Sequence, residues 1–384
     1  MRLLVYGLVL SLSFFGTYSN TWAEVQPDLG KNARSAILMD ASSGSILFEK
    51  NSHESLPPAS ITKVMTMLLV MEALEEGKIE LKDRVHVSEK AASMGGTQIY
   101  LEPGEQMTVD DLLKGVAIAS ANDATVALAE YIAGSEERFV AMMNQKAKEL
   151  GLKNTHFKNT NGLPEDGHVS SAHDIAVISR ELLKHAKITQ YTSRYEDYLR
   201  KNTKKPFWLV NTNKLIRQYQ GMDGLKTGFT QEAKYGLSAT AKRGNMRVIA
   251  VVMGEPDIKT RNEEVVQMLD FAFQRYTAHR LFRKGDLIEK IKIRKGDPEQ
   301  LSVIADQDLQ VLLKRGEAKS QLRHKLILKP LEAPIRKGQE IGRLQLINNG
   351  KIVAEIPLNA QQAVPKAKWW GTWKKVFKKF LFVS

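Results

Sequence analysis

Cysteine is absent from all 384 residues. Its absence excludes disulfide staples, thiol nucleophiles and cysteine-bound metals, so the chain must rely on its apolar cores. There is no internal repeat and no low-complexity segment. The apolar run at the N-terminus, from Leu3 to Phe15, is too short for a membrane span. Acidic residues are outnumbered, 43 Asp and Glu against 56 Lys and Arg, for a formal charge of +13. That excess favours anionic surroundings: nucleic acid, phospholipid head groups or acidic wall polymers. With 43% hydrophobic and 26% charged residues the composition is that of a globular protein. The length implies two folded domains.

The first residues narrow the partners. Arg2, the short apolar run and the small residues around Thr21-Trp22-Ala23 form a secretory signal peptide, with cleavage expected after Ala23. Export argues against a nucleic-acid partner.

From about residue 34 to 283 strand-like and helix-like segments are mixed. SAILMD and SILFEK flank ASSG and read as a hairpin. A helix is expected from Ser60 to Glu76, with Val64, Met67, Leu68, Met71 and Leu74 at helical spacing and Gly77 to end it. Further helices are expected near 109–132, 135–150 and 171–186, the last with Ser171 and Asp174 in capping-box positions. YGLSATAKR and MRVIAVVMG read as strands joined near Gly244-Asn245, and NEEVVQMLDFAFQRY as a helix behind them. The mixture implies helices packed on a sheet, an α/β or α+β domain. After Gly285 short alternating strands separated by Gly, Pro, Asn and Asp indicate a small all-β domain ending near 364. The expected division is a signal peptide at 1–23, a main domain at 24–283, the all-β domain at 284–364 and a tail at 365–384.

The tail carries six lysines and no acid. Trp370, Trp373, Phe377, Phe380 and Leu381 recur every three or four residues, with Lys374, Lys375, Lys378 and Lys379 on the other side. This is the pattern of an amphipathic helix that lies in a membrane interface.

One short stretch carries chemistry: PPASITKVMT, residues 57–66. On a helix, positions three apart share a face, with Cβ atoms about 5–6 Å apart, so Lys63 can reach the Ser60 hydroxyl. Serine needs a neighbouring base to become a nucleophile. Lysine can be that base only if burial and nearby cations lower its usual pKa of about 10.4. Pro57 and Pro58 put Ser60 at a helix start, where free N–H groups favour negative charge. The Ser-x-x-Lys spacing occurs only here, and by itself would be weak. Two further triplets follow in order, each occurring once: Ser120-Ala121-Asn122 and Lys226-Thr227-Gly228.

With these three motifs the sequence resembles the penicillin-binding proteins and serine β-lactamases. The middle motif has Ala121 where Ser-Asp-Asn is common, a variation many carboxypeptidases of the family show. Signal peptide, catalytic domain, small β domain and basic tail together look like the low-molecular-weight D-alanyl-D-alanine carboxypeptidases. ASMGGTQIYLEPGEQMTV, LKGVAIASANDA and DGLKTGFTQEAKYGLSATAKRGNMR look most like the enzymes of Gram-positive spore formers, the sporulation-associated type included. The implied fold is α+β: a β-lactamase/transpeptidase-like helix–sheet–helix domain, a small all-β domain and a C-terminal amphipathic helix.

The resemblance implies roles where residues match. Ser60 would attack the carbonyl between the two terminal D-alanines, Lys63 would take its proton, and Ser120 would relay it to the leaving D-alanine. Asn122 would position the substrate amide, Lys226 and Thr227 would hold the terminal carboxylate, and Gly228 would let the substrate backbone approach. The backbone N–H groups of Ser60 and Phe229 would form the oxyanion hole. No metal or other cofactor is implied. The partners would be peptidoglycan stem peptides, β-lactams as covalent inhibitors, and a membrane surface through residues 366–384 on the outer face of the cytoplasmic membrane.

One departure stands out. Relatives often carry an arginine shortly before the Lys-Thr-Gly strand, where this chain has Thr212, with Lys214 and Arg217 nearby. His168, His173 and Glu165 share a loop; the histidines are read as surface or loop residues, and the loop as unlike that of a β-lactamase that turns over its acyl-enzyme. Two competing readings are a D,D-endopeptidase using the same site and a non-catalytic wall-binding scaffold.

Overall fold

The computed structural model describes residues 28–201, 203–305, 309–317, 322–348 and 350–367. The expected signal peptide and the tail from Lys368 onward lie outside them. Five antiparallel strands build the main sheet: β1 (Ser35–Asp40), β2 (Ile46–Lys50), β3 (Met222–Thr230), β4 (Lys234–Arg243) and β5 (Met246–Glu255). Their spatial order is β2-β1-β5-β4-β3.

Successive residues of a strand point to opposite faces, and β5 uses both. Ile249, Val251 and Met253 enter one apolar core, with residues of α1 (Lys63–Glu75), α2 (Asn122–Ala133) and α4 (Ala172–Leu182); α3 (Glu136–Glu149) closes it from outside. Val248, Ala250 and Val252 enter a second core with Val265, Met268, Leu269 and Ala272 of α5 (Ile258–Arg275). A strand buried on both sides reads as a continuous apolar run, as MRVIAVVMG does. The sheet is therefore covered on both faces, the expected helix–sheet–helix arrangement.

Two expected helices are interrupted, and both interruptions fall at the serines of the motifs. The helix expected from Ser60 starts at Lys63; Ala59–Thr62 is a single 3-10 turn closed by Ile61 N–H donating to Pro58 O at 3.1 Å. Ala59 has φ +48° and cannot extend the α-helix backwards. The helix expected over 109–132 is two helices, Val109–Lys114 and α2, joined by a π-helical turn at Gly115–Ala119. Ser120 ends that turn in the left-handed region at φ 68°. Wide turns of this kind and non-glycine residues at positive φ concentrate at functional sites.

Among the described residues, the named strands of the C-terminal part all pair antiparallel. Tyr276–Phe282 pairs with Leu309–Lys314, Leu287–Lys292 with Gln300–Ile304, and Arg323–Leu328, Glu340–Asn348 and Lys351–Asn359 form a three-stranded sheet. A separate core holds them, with Leu301, Val303, Val311, Leu344 and Leu346 at its centre. Strand pairing here begins at Tyr276, ahead of residue 284.

Candidate active site

The 3-10 turn carrying Ser60 packs directly against β3. A Cβ at Gly228 would lie 2.9 Å from Ile61 Cγ1 and 2.9 Å from Pro58 O, and a Cβ at Gly236 of β4 would lie 2.9 Å from Ile61 Cδ1. The missing side chain at Gly228 thus makes room for the turn that carries Ser60, a use that the motif alone does not reveal. From the other side, the loop 158–162 presses on the same turn. Gly162 has φ +88°, and a Cβ there would sit 1.8 Å from Ala59 O. Only glycine fits.

Lys63 joins the pieces. Its Nζ lies 3.0 Å from Ser60 Oγ, 2.7 Å from Asn122 Oδ1 and 2.7 Å from the backbone oxygen of Asn161. The side chain is fully buried. Burial, reinforced by the charge of Lys226, pushes its pKa well below the ordinary lysine value; Asp123 acts weakly the other way. Two of the three partners are carbonyl oxygens, which only accept. A neutral amine would give its two N–H groups to them and leave its lone pair facing the Ser60 hydroxyl. The orientation of the Asn122 amide is set by its nitrogen, which donates to Gly95 O at 2.7 Å.

Asn122 itself is fixed by the backbone, its N–H donating to Thr97 O at 2.7 Å. The loop it grips is anchored in turn by the buried carboxylate of Asp123, which accepts from the N–H groups of Ile99 and Leu101 at 3.0–3.1 Å. Ser120, 5% exposed, sits at the turn that precedes Asn122.

On β3, Lys226 is 1% exposed and donates to Thr227 O at 2.9 Å. Burial first, then the charge of Arg261, lowers it to about 7. Arg261, at the start of α5, is itself buried and lowered to about 10 by burial. Thr227 Oγ1 donates to Thr212 Oγ1 at 2.7 Å, so the position lacking the expected arginine holds a hydroxyl chain instead. Neither neighbouring cation replaces it: the Arg217 guanidinium stacks 3.8 Å from the Tyr195 ring centre, and Lys214 lies 5.2 Å from the same ring. Phe229 is exposed and stacks on Tyr235 at 4.3 Å.

His168 is a loop residue, as expected, but not a surface one: its ring is buried. Its Nδ1 accepts the Lys158 N–H at 3.1 Å, which puts the ring proton on Nε2, 2.8 Å from Thr62 Oγ1. Burial lowers its pKa to about 4. The ring is a neutral strut between the loop and the turn of Ser60. His173 lies on α4, stacked 4.4 Å from His53. Glu165 is exposed and accepts from Asn159 Nδ2 at 3.1 Å.

Sequence reasoning missed Asn161, Asp123 and Arg261. Asn161 contributes only a backbone oxygen to Lys63, which no residue type can signal. The Asn-Gly pair at 161–162 marked a tight turn, but not its contact with Ala59.

A serine at a helix entrance, a buried lysine three residues on, and a Lys-Thr-Gly strand edge packed against that turn define the class of active-serine penicillin-binding proteins. Within it the chain belongs to the Peptidase S11, D-alanyl-D-alanine carboxypeptidase, family, whose profile matches residues 21–257. The profile of the penicillin-binding protein 5 C-terminal domain matches residues 276–366. Over 341 residues, 88% of this chain and 88% of the relative, it is 54% identical to the D-alanyl-D-alanine carboxypeptidase DacF of Bacillus subtilis. It is 35% identical to DacC of Escherichia coli, covering 91% of this chain and 88% of that one. The crystal structure of penicillin-binding protein 5 from Haemophilus influenzae superposes with a TM-score of 0.74 at 34% identity, over 89% of this chain and 99% of that chain.

Proposed function

We propose that Ser60 is the nucleophile with which this D-alanyl-D-alanine carboxypeptidase removes the terminal D-alanine from peptidoglycan pentapeptide stems. The observation that carries the assignment is the 3.0 Å separation of Ser60 Oγ from a buried Lys63 Nζ whose other partners are carbonyl oxygens.

The substrate's terminal carboxylate is held by Lys226 and the Thr227 hydroxyl, with the charge of Arg261 behind them. Its arrival restores the positive charge that burial weakens on Lys226. Ser60 Oγ bonds to the carbonyl carbon of the penultimate D-alanine while its proton passes to Lys63. The oxyanion that forms is received by the N–H groups of Ser60 and Phe229; losing one such donor typically costs about 2.7–4 kcal/mol of barrier. The C–N bond breaks as Ser120 passes a proton to the leaving D-alanine, and Asn122 aligns the substrate amide. Water then attacks the acyl-enzyme with Lys63 again as base, releasing the shortened stem and restoring Ser60. A β-lactam opens on the same serine, but its cleaved amine stays tethered, so the site remains blocked.

We place the enzyme outside the cytoplasmic membrane, exported by residues 1–23 and held at the surface by residues 366–384. No helix among the described residues is long and apolar enough to cross a membrane. The tail instead supplies interfacial tryptophans, and each lysine near an anionic leaflet adds about 1 kcal/mol at most. A chain ending near Gln362 should leave the membrane fraction; continued tight association would remove the tail from this role. The 54% identity with the Bacillus subtilis protein supports placing the chain among the enzymes of Gram-positive spore formers.

The nucleophile is tested by covalent labelling. Fluorescent penicillin should mark the full chain on the peptide containing Ser60 and leave Ser60→Ala unmarked; a label elsewhere would refute the assignment.

A further inference from the structure

The mechanism fixes the direction in which a substrate lies along β3. Its carboxylate is at Lys226 and Thr227, and the carbonyl under attack is between Ser60 and Phe229. An extended chain advances about 3.3–3.6 Å per residue, so the residue before the D-alanyl pair lies level with Thr230 or beyond it. A groove of about 590 Å³ opens at that place. Its walls are the Pro57-Pro58-Ala59 approach to the nucleophile, the loop Gly162–Val169, and Thr230 with Glu232 past the end of β3.

Negative charge prevails in this groove. Glu165, Asp166 and Glu232 all line it and all are exposed. Its one arginine, Arg34, is paired with Glu54 at 2.7 Å. His168, also in the wall, is held neutral by burial, with its pKa lowered to about 4. Asn159 Nδ2 steadies the Glu165 carboxylate at 3.1 Å. In a protein of formal charge +13 this is a local reversal of sign beside the catalytic turn.

We propose that the groove is a subsite for the stem residue preceding the D-alanyl pair, and that it selects a side chain ending in a free ammonium, that of a diamino acid, over one acylated by cross-linking. The proposal rests on the reading of the site given above. It makes the enzyme a trimmer of stems not yet joined through that amine.

The test uses the full chain and two peptides, Nα-acetyl-L-lysyl-D-alanyl-D-alanine with its ε-ammonium free and the same peptide acetylated there. The ratio of their kcat/KM values for D-alanine release should favour the free ammonium by about three- to tenfold, as expected of partly exposed charge pairs. The preference should shrink at about 1 M salt. The combined change Glu165→Gln, Asp166→Asn, Glu232→Gln should bring the ratio to about one, and Glu232→Lys alone should lower it. Equal rates in the parent, or a preference that survives both variants, would overturn the proposal. Fluorescent penicillin labelling reports a folded site in each protein. Labelling of the parent without release from either peptide would contradict the carboxypeptidase mechanism itself, and the subsite with it.

Discussion

Asn122 Oδ1 accepts a hydrogen bond from Lys63 Nζ at 2.7 Å and so ties the second motif to the first across 59 residues of sequence. Both groups are buried, and the same asparagine is clamped at its other end by Gly95 and Thr97. Lys63 is thereby tied to Asn122 as well as to Ser60.

Replacing this asparagine should damage the base before it damages the fold. Asn122→Ala leaves a buried N–H of Lys63 without its acceptor, a loss of about 1–3 kcal/mol. If that falls on the acylation barrier, the rate drops about 10- to 100-fold. Asn122→Asp should be slower still, because a carboxylate beside Lys63 favours its charged form and removes the lone pair. Stopped-flow acylation by a fluorescent penicillin checks both, and an aspartate variant faster than the alanine variant would count against Lys63 as base.

Gly162 is the most sensitive backbone position near the site. A methyl group there would meet Ala59 O at 1.8 Å, on a backbone with φ +88°. The turn must move, and Ser60 moves with it. Gly162→Ala is expected to cost more than about 3 kcal/mol or to abolish acylation outright. Thermal melting and penicillin labelling together show which; a variant normal in both would mean that the loop and the turn are not in contact.

The two buried lysines set a pH dependence of stability. Both have folded-state pKa values below those of the unfolded chain, Lys226 at about 7. Between that value and the usual one of about 10.4, the unfolded chain binds more protons than the folded one. Stability therefore rises as pH rises through this window. Lys226→Met removes one titration, so urea midpoints between pH 7 and 10 should climb less steeply than in the parent, with the variant more stable at pH 7. An unchanged slope would show that Lys226 keeps an ordinary pKa in the folded protein.

How much of this was legible in the sequence depended on whether the signal was periodic. The doubly covered sheet was expected from the family resemblance, and the unbroken apolar run of β5 agrees with it. The three motifs pointed to Ser60, Lys63, Ser120, Asn122 and Lys226 because the roles proposed for them belong to side chains, whose types and spacing a sequence displays. The interruptions at Ala59 and Ser120 were not legible, since helical periodicity continues through both while backbone conformation does not. The Asn161 carbonyl and the space beside Gly228 were invisible for a related reason. One is backbone, and the other is defined by what Ile61 and Pro58 occupy across a gap in the sequence. Burial also decided the reading of His168 as a loop rather than a surface residue, since its ring makes an edge contact with Phe157 at 5.8 Å.

The account rests on Ser60 attacking a D-alanyl-D-alanine bond. The most direct measurement is release of free D-alanine from a synthetic stem pentapeptide by the full chain, with Ser60→Ala in parallel and penicillin labelling to confirm a folded site. The account predicts release by the parent and none by the variant. Labelling of the parent without release, together with cleavage of a cross-linked stem dimer, would contradict it in favour of an endopeptidase; equal release by parent and variant would take the reaction away from Ser60 altogether.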